Sequence, residues 1–484
     1  MKSRSDSNRR VHSFAAAALL ALGGLAAVPA FAGQAHVSGL KDGQTYRQLI
    51  VKFVPGSAPA RQAAAVDASL RRAGLGLATG PSAPTLKRAR RMAIGSDVVV
   101  SNQPLSRAQT QALIRRIADD PNVEWVQADL PVDITALPND TRFAEQWDLA
   151  DSAVGVRAPS AWSTSDGSGA VVAVVDTGIV SHPDLNGNVI AGYDMVPVGA
   201  GADGDGRDPN PTDTVYAPSL PHGTHVAGTV AAVTGNGVGV AGVAPGVKIV
   251  PVRVLGQGSS SFMSDLADGI VWASGGRVAG VPANPNPADV INLSVGQAVG
   301  CSQTPAWQTA INTATANGTI VAAAAGNNNI DVRSFTPASC NNVITVAASD
   351  QGGRRAWYSG YGTGIDVTAP GGESCSPSTE FLPLGRFVNK PQECTRQHLS
   401  QGILSTYSGN RYEFLDGTSM ATPHVAGVIA LIQTAAPTPR TFEQVREILA
   451  ATSRPISAAN CPGGCGAGLV DAAAAVARAR SVTP

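Results

Sequence analysis

Apolar positions follow two different rhythms along this chain. From residue 33 to about 136 the pattern switches between alternation and helical spacing, predicting extended segments at 48–53, 98–101 and 123–126 and helices at 58–72 and 106–118. Ser106 stands ahead of Ala112, Leu113 and Ile117 like a cap before an apolar helix face. Together these elements predict a compact α+β unit of about 100 residues. Segment 133–140 holds Pro138, Asn139 and Asp140, lacks apolar periodicity, and predicts an exposed linker open to proteolysis. Beyond it come short continuous runs at 171–175, 248–254, 290–293, 320–325 and 343–347, rich in Val and Ile and not alternating. Such runs are strands buried on both faces, as in a parallel sheet. Helical spacing between and after them, at 224–233, 264–274, 306–316, 421–435 and 442–451, predicts an α/β layered domain, with any ligand at the carboxyl ends of its strands.

Charge and composition sharpen this picture. Of 484 residues 43% are hydrophobic and 14% charged, which suits a buried core and excludes a disordered chain. Lys plus Arg and Asp plus Glu both number 35, so the chain lacks the basic excess of a nucleic-acid binder. The balance hides a split: residues 1–137 carry 17 basic and 9 acidic side chains, residues 138–484 carry 18 and 26. Basic Lys2, Arg4, Arg9 and Arg10, an Ala/Leu-rich run over 14–28 and the small-residue pattern Ala30-Phe31-Ala32 form an export signal, expected to be removed after residue 32. Gly23-Gly24 and Pro29 argue against reading this run as a membrane anchor, and no later run is long enough to span. A secreted protein is expected, reaching the medium by way of the periplasm, with Arg9-Arg10 as the mark of a twin-arginine alternative.

An even count of six cysteines in an exported chain favours disulfides. Fifteen pairings are open to Cys301, Cys340, Cys375, Cys394, Cys461 and Cys465. Neighbour pairing along the chain (301 with 340, 375 with 394, 461 with 465) is the expectation, the last pair closing a tight Pro-Gly-Gly loop. A zinc site would want a CxxC or clustered histidines beside them, and neither accompanies these cysteines.

Three segments carry polar residues where the topology puts a site. Asp176 ends an apolar strand in Val174-Val175-Asp176-Thr177-Gly178. His222 opens a helix in His222-Gly223-Thr224-His225-Val226-Ala227-Gly228, and Ser419 stands at a helix start in Gly417-Thr418-Ser419-Met420-Ala421-Thr422-Pro423-His424. A serine hydroxyl becomes a nucleophile when an imidazole accepts its proton, and the imidazole needs a carboxylate to fix its tautomer and stabilise its cation. Each residue alone has a plainer use: Asp176 in a turn, His222 as a partly buried histidine, Ser419 as a cap ahead of Pro423.

Taken together, these three segments closely resemble the signature motifs of the subtilisin-like serine proteases, over roughly residues 138–478. That family's chain order of Asp, His, Ser is the one seen here. The resemblance implies a subtilisin-like layered domain with a mainly parallel central sheet flanked by helices. It also implies endopeptidase activity with Asp176 as orienter, His222 as general base and Ser419 as nucleophile. Ala322-Ala323-Ala324-Ala325-Gly326-Asn327 matches the family's oxyanion-hole stretch, where the Asn327 amide and the Ser419 backbone N–H would meet the developing charge. Leu293-Ser294-Val295-Gly296 looks like the family's edge strand, which pairs with an extended peptide. With Ser294, Val295 and Gly296 on one side and Ala324, Ala325 and Gly326 on the other, the primary pocket is expected to be apolar and roomy, with broad specificity.

The same resemblance implies structural calcium, held by oxygen ligands. The matching positions are Asp184, Val233, Asn236, Val238 and Val240, with Asp140 to complete the set. A second candidate is the acidic, Gly-rich loop of Asp203, Asp205 and Asp208 with Asp213. Residues 33–136 resemble the family's inhibitory propeptide, a small ferredoxin-like α+β domain. It is expected to dock on residues 137–484 as an intramolecular inhibitor and to be cut near Ala136-Leu137. Protein and peptide substrates and a monomeric state complete the expectation. Two segments exceed the family's minimal pattern, 199–220 and 373–402. Asp-Thr-Gly is also the mark of aspartic proteases, but their chemistry needs two carboxylates and one such motif is present. An α/β-hydrolase esterase would want Gly-x-Ser-x-Gly around Ser419, which is absent, and a non-catalytic binding module would have lost a triad member, whereas all three are here.

Overall fold

The computed structural model describes residues 33–37, 40, 45–74, 84–130, 137–199, 204, 206–214, 221–256, 262–374 and 398–481. The export signal, Asp203, Asp205, Cys375, Cys394 and most of the 373–402 segment lie outside the described residues. The chain divides into two compact units at Ile134 and Thr135.

Unit one is a five-stranded sheet with helices packed on it. Its elements are β1 (Gln34–His36), β2 (Thr45–Phe53), α1 (Ala58–Arg61), α2 (Ala63–Gly74), β3 (Leu86–Arg91), β4 (Asp97–Ser106), α3 (Arg107–Ala118) and β5 (Val123–Ala128), with strand order β1-β5-β2-β4-β3. Alternation in β2 buries Leu49, Val51 and Phe53 against Val66 and Leu70 of α2 and Leu113, Ile114 and Ile117 of α3. Ser106 caps α3 in a full capping box with Gln109, as its position predicts. The predicted helix at 58–72 is two helices, because Gln62 is extended and breaks it.

Unit two comprises α4 (Trp147–Ala150), α5 (Ala158–Trp162), β6 (Val171–Asp176), β7 (Tyr193–Asp194), α6 (His222–Ala231), β8 (Lys248–Arg253), α7 (Met263–Ala273), β9 (Val290–Leu293), α8 (Pro305–Ala316), β10 (Ile320–Ala324), β11 (Val343–Ser349), β12 (Val367–Pro370), β13 (Ile403–Tyr407), β14 (Arg411–Leu415), α9 (Thr418–Ala435), α10 (Phe442–Thr452) and α11 (Ala472–Ser481). Seven strands pair in parallel in the order β12-β11-β10-β9-β6-β8-β7. The absence of alternation in the sequence is explained by the two faces of β6. Val172 and Val174 enter the core shared with α6 and α9, while Ala173 and Val175 enter the core shared with α7 and α8. Strand order reverses between β6 and β9, and at such a switch point the strand ends open a crevice.

Two expectations need correction, and one element was not foreseen. Asp140 is not on an exposed linker: it is buried and accepts hydrogen bonds from the Gly235 and Asn236 N–H groups. β9 is a central strand and not an edge, so Ser294–Gly296 is its continuation beyond the paired residues. The antiparallel hairpin β13–β14 has no counterpart in the predicted elements, because its second strand, with its mixed polar residues, lacks a clean apolar rhythm.

Candidate active site

The parallel register aligns Val174 of β6 with Asn292 of β9, so Asp176 and Ser294, two residues further on, leave the sheet at one level. Adjacent strands lie about 4.8 Å apart. Each strand end anchors one part of the candidate site.

Asp176, fully buried, accepts hydrogen bonds from Thr177 N–H at 2.8 Å and from His222 Nδ1 at 2.8 Å, both on Oδ1. His222 opens α6, where Thr177 Oγ1 accepts from Gly223 N–H at 3.0 Å and donates to Asp213 at 2.7 Å. Gly223 permits this approach: a Cβ there would stand 2.2 Å from the Gly178 carbonyl oxygen. The His222 ring keeps 22% of its side-chain surface exposed. Burial disfavours its cation, but the Asp176 charge and hydrogen bond, with the charge of Asp213, outweigh this and raise its pKa above the ordinary histidine value.

Ser419 is anchored on the neighbouring strand end. Its Oγ donates to the Ser294 carbonyl at 3.0 Å, and Ser294 Oγ donates back to the Ser419 carbonyl at 2.8 Å. That carbonyl is available because Pro423, four residues on, has no N–H to offer it. In this conformation the Ser419 hydroxyl makes no hydrogen bond to His222; rotation about its Cα–Cβ bond releases it from Ser294. The helix holding Ser419 begins at Thr418, three residues before the predicted start, which puts the serine inside the first turn. Its backbone N–H is then one of the donors a helix start leaves unpaired.

Asn327 Oδ1 accepts from Thr418 N–H at 2.9 Å and from Thr418 Oγ1 at 2.8 Å. A main-chain N–H only donates, so this contact fixes the amide orientation and leaves Asn327 Nδ2 as an unengaged donor beside the Ser419 turn. Gly326 N–H in turn donates to Thr418 Oγ1 at 3.2 Å. Gly296 and Gly326 face the same aromatic ring: a Cβ at either would come within 2.8 Å of Phe335 Cζ. Phe335 is buried with Ala325 and Val332. The slot expected between these two walls therefore ends on the Phe335 ring. The Cys301–Cys340 disulfide and the Gln297–Thr336 bridge tie the Ser294–Gly296 side to the segment that carries Phe335. Cys461–Cys465 also forms as expected.

At the first calcium candidate the side-chain oxygens are engaged by donors of the chain. Asp184 accepts from Asn236 Nδ2 at 2.7 Å, Val240 N–H at 2.9 Å and the Tyr412 hydroxyl at 3.2 Å. Asn236 Oδ1 is turned to Val238 N–H at 2.7 Å. Asp140 is taken up by main-chain N–H groups, and Val233 N–H donates to the Asp184 carbonyl at 2.7 Å. The main-chain carbonyls of Val233, Asn236, Val238 and Val240 accept no hydrogen bond among the described residues and are the oxygens a cation would use. At the second candidate, Asp208 Oδ1 accepts from Asn210 N–H and Asp213 holds Thr177. Among the described residues no three His, Cys, Asp or Glu side chains gather around a point that would hold a metal.

Residues 167–468 match the model of the subtilase family, peptidase S8. The chain is 46% identical over 470 residues to the extracellular protease of Xanthomonas campestris, covering 94% of this chain and 77% of that protein. It is 38% identical over 409 residues to the extracellular basic protease of Dichelobacter nodosus, covering 80% of this chain and 63% of that protein. Among solved structures, a protease of Pseudoalteromonas arctica superposes with a TM-score of 0.63 at 49% identity, over 71% of this chain and all of the other. The chain belongs to the subtilase family, the subtilisin-like serine endopeptidases. Among the described residues no helix is long and apolar enough to cross a membrane.

Proposed function

We propose that the protein is a secreted endopeptidase that cuts peptide bonds through an acyl-enzyme on Ser419, with His222 as general base and Asp176 as its orienter. The observation that carries this reading is the Asp176–His222 hydrogen bond of 2.8 Å at one strand end, beside Ser419 held on the next. An extended substrate lies along Ser294–Gly296, and its side chain before the scissile bond enters the slot that ends on Phe335. His222 Nε2 takes the Ser419 proton as Oγ attacks the carbonyl carbon. The carbonyl oxygen becomes an oxyanion, met by Asn327 Nδ2 and Ser419 N–H. His222 then passes its proton to the departing amine. Water, deprotonated by the same ring, releases the acid and restores the serine. With no charged group in the slot walls, specificity is broad and favours apolar side chains.

Unit one acts as the inhibitory propeptide of this enzyme, removed by self-cleavage near residue 137. Excluding the signal, it carries 13 basic against 8 acidic side chains, opposite in sign to residues 138–484. A parallel sheet closes through contacts distant in sequence and folds slowly, which gives a temporary folding partner a physical role. The test is casein hydrolysis and N-terminal sequencing of protein purified from the culture medium. Wild type is expected to hydrolyse casein and to begin near residue 137, whereas Ser419→Ala retains unit one and is inactive. The same N-terminus in Ser419→Ala expressed alone contradicts self-cleavage.

A further inference from the structure

Behind the nucleophile turn lies a second histidine–carboxylate pair that the proposed chemistry does not use. His424 and Asp148 expose 0% and 1% of their side chains, and His424 Nε2 lies 2.9 Å from Asp148 Oδ2. The other ring nitrogen, Nδ1, lies 2.8 Å from the carbonyl oxygen of Met420, the residue after Ser419. A carbonyl only accepts, so Nδ1 carries a proton. The ring therefore holds both contacts as an imidazolium against an ionised Asp148, or as a neutral ring taking a proton from a neutral acid; either way the pair buries no net charge. Asp148 Oδ1 is buried without a hydrogen-bond partner, so among the described residues this ring is the carboxylate's one hydrogen-bonded side chain.

Asp148 comes from far away, 276 residues before His424. It is the last of three consecutive residues that enter three different parts of the unit. Gln146 exchanges hydrogen bonds of 2.7 and 2.8 Å with the Ala241 backbone, Trp147 Nε1 donates to the Gly402 carbonyl at 3.1 Å, and Asp148 takes His424. The first turn of α9 is short of a main-chain bond because of Pro423, and the His424 ring adds a donor to that turn at Met420.

We infer that Asp148 and His424 are positioning residues that fix the Met420 peptide and with it the Ser419 turn, an inference that rests on Ser419 being the nucleophile. His424→Phe keeps a ring in place but offers no N–H. The Met420 carbonyl then loses its ring donor and the buried Asp148 loses its partner.

The test compares peptide hydrolysis by mature His424→Phe and by the double variant Asp148→Leu with His424→Phe, with Ser419→Ala as control. His424→Phe is expected to lower kcat at least tenfold with KM within twofold of wild type and a native circular-dichroism spectrum, and to lower Tm because Asp148 is left buried and unpaired. The double variant removes both charges and keeps an apolar contact, so its Tm is expected to return close to wild type. Its kcat should stay at least tenfold down, since no ring donor remains for Met420. Recovery of kcat together with Tm makes the pair a packing unit and overturns the inference, as does wild-type kcat in His424→Phe. If His424→Phe fails to mature, the double variant decides alone. Activity surviving in Ser419→Ala overturns the nucleophile assignment instead, whatever the pair does.

Discussion

At the scale of single residues, the site depends on where donors and charges are aimed. Asn327 has its oxygen fixed by Thr418, so its Nδ2 is preorganised before substrate arrives. Loss of one such donor in a subtilisin costs about 2.7–4 kcal/mol of barrier. Asn327→Ala is accordingly expected to lower kcat by about 100- to 1,000-fold with little change in KM. The protonation of His222 belongs to the same scale. In the proposed mechanism its neutral form is the base, and its pKa is raised, so activity is expected to climb with pH along a limb displaced to the alkaline side of an ordinary histidine. Asp213 is one of the negative charges that raise it. In Asp213→Asn the carbonyl oxygen still accepts from Thr177, but the charge is gone, so the acid limb of kcat/KM should move to lower pH. An unmoved limb means that Asp213 does not act on His222. Asp176, His222 and Ser419 were legible in the sequence because each stands beside residues whose local use is recognisable. Asp148, Asp213 and Phe335 were not, since each acts through a partner brought close only by the fold.

At the scale of elements, the two walls of the slot are strand ends continued into loops, and loops need fastening. Cys301–Cys340 closes a stretch of 39 residues and joins the continuation of β9 to the Phe335 segment. Loop-closure entropy of that length corresponds to about 4 kcal/mol, against about 2 kcal/mol for Cys461–Cys465, which closes a stretch of 4. Replacing Cys301 and Cys340 by Ser should therefore lower Tm more than the same change at Cys461 and Cys465, measured by thermal denaturation of mature protein. It should also raise KM, because the Ser294–Gly296 wall is freed to move relative to Phe335. The reverse ranking would mean that the slot is held by its apolar contacts. The parallel strands of this unit were legible because burial on both faces leaves continuous apolar runs. The hairpin β13–β14 was not: it is held by its contact with α6, where His225 Nε2 faces the carbonyls of Ile403 and Glu413 at 3.0 Å. Burial pushes the His225 pKa down to about 3, so the ring is neutral there and donates from Nε2. The closed hydrogen bonding around Asp184 belongs here too. Motif positions identified the loop, but which atoms Asn236 and Tyr412 turn toward Asp184 is a matter of packing.

At the scale of the whole molecule, the reading joins an exported chain, a small sheet-and-helix unit and a parallel-sheet enzyme unit into one sequence of events. The opposite charge of the two halves was accessible from composition, and a linker at 133–140 was expected from periodicity because each half has its own rhythm of apolar positions; the two units divide at residues 134 and 135. All of it rests on Ser419 being the group that attacks. Its hydroxyl sits on Ser294 in this conformation, so the decisive observation is chemical. Mature protein treated with a serine-directed organophosphate and then digested and mapped by mass spectrometry should carry one adduct, on the peptide containing Ser419, in proportion to the activity lost, and none after His222→Ala. Full activity after treatment, or an adduct on another residue that tracks the loss, would contradict the account.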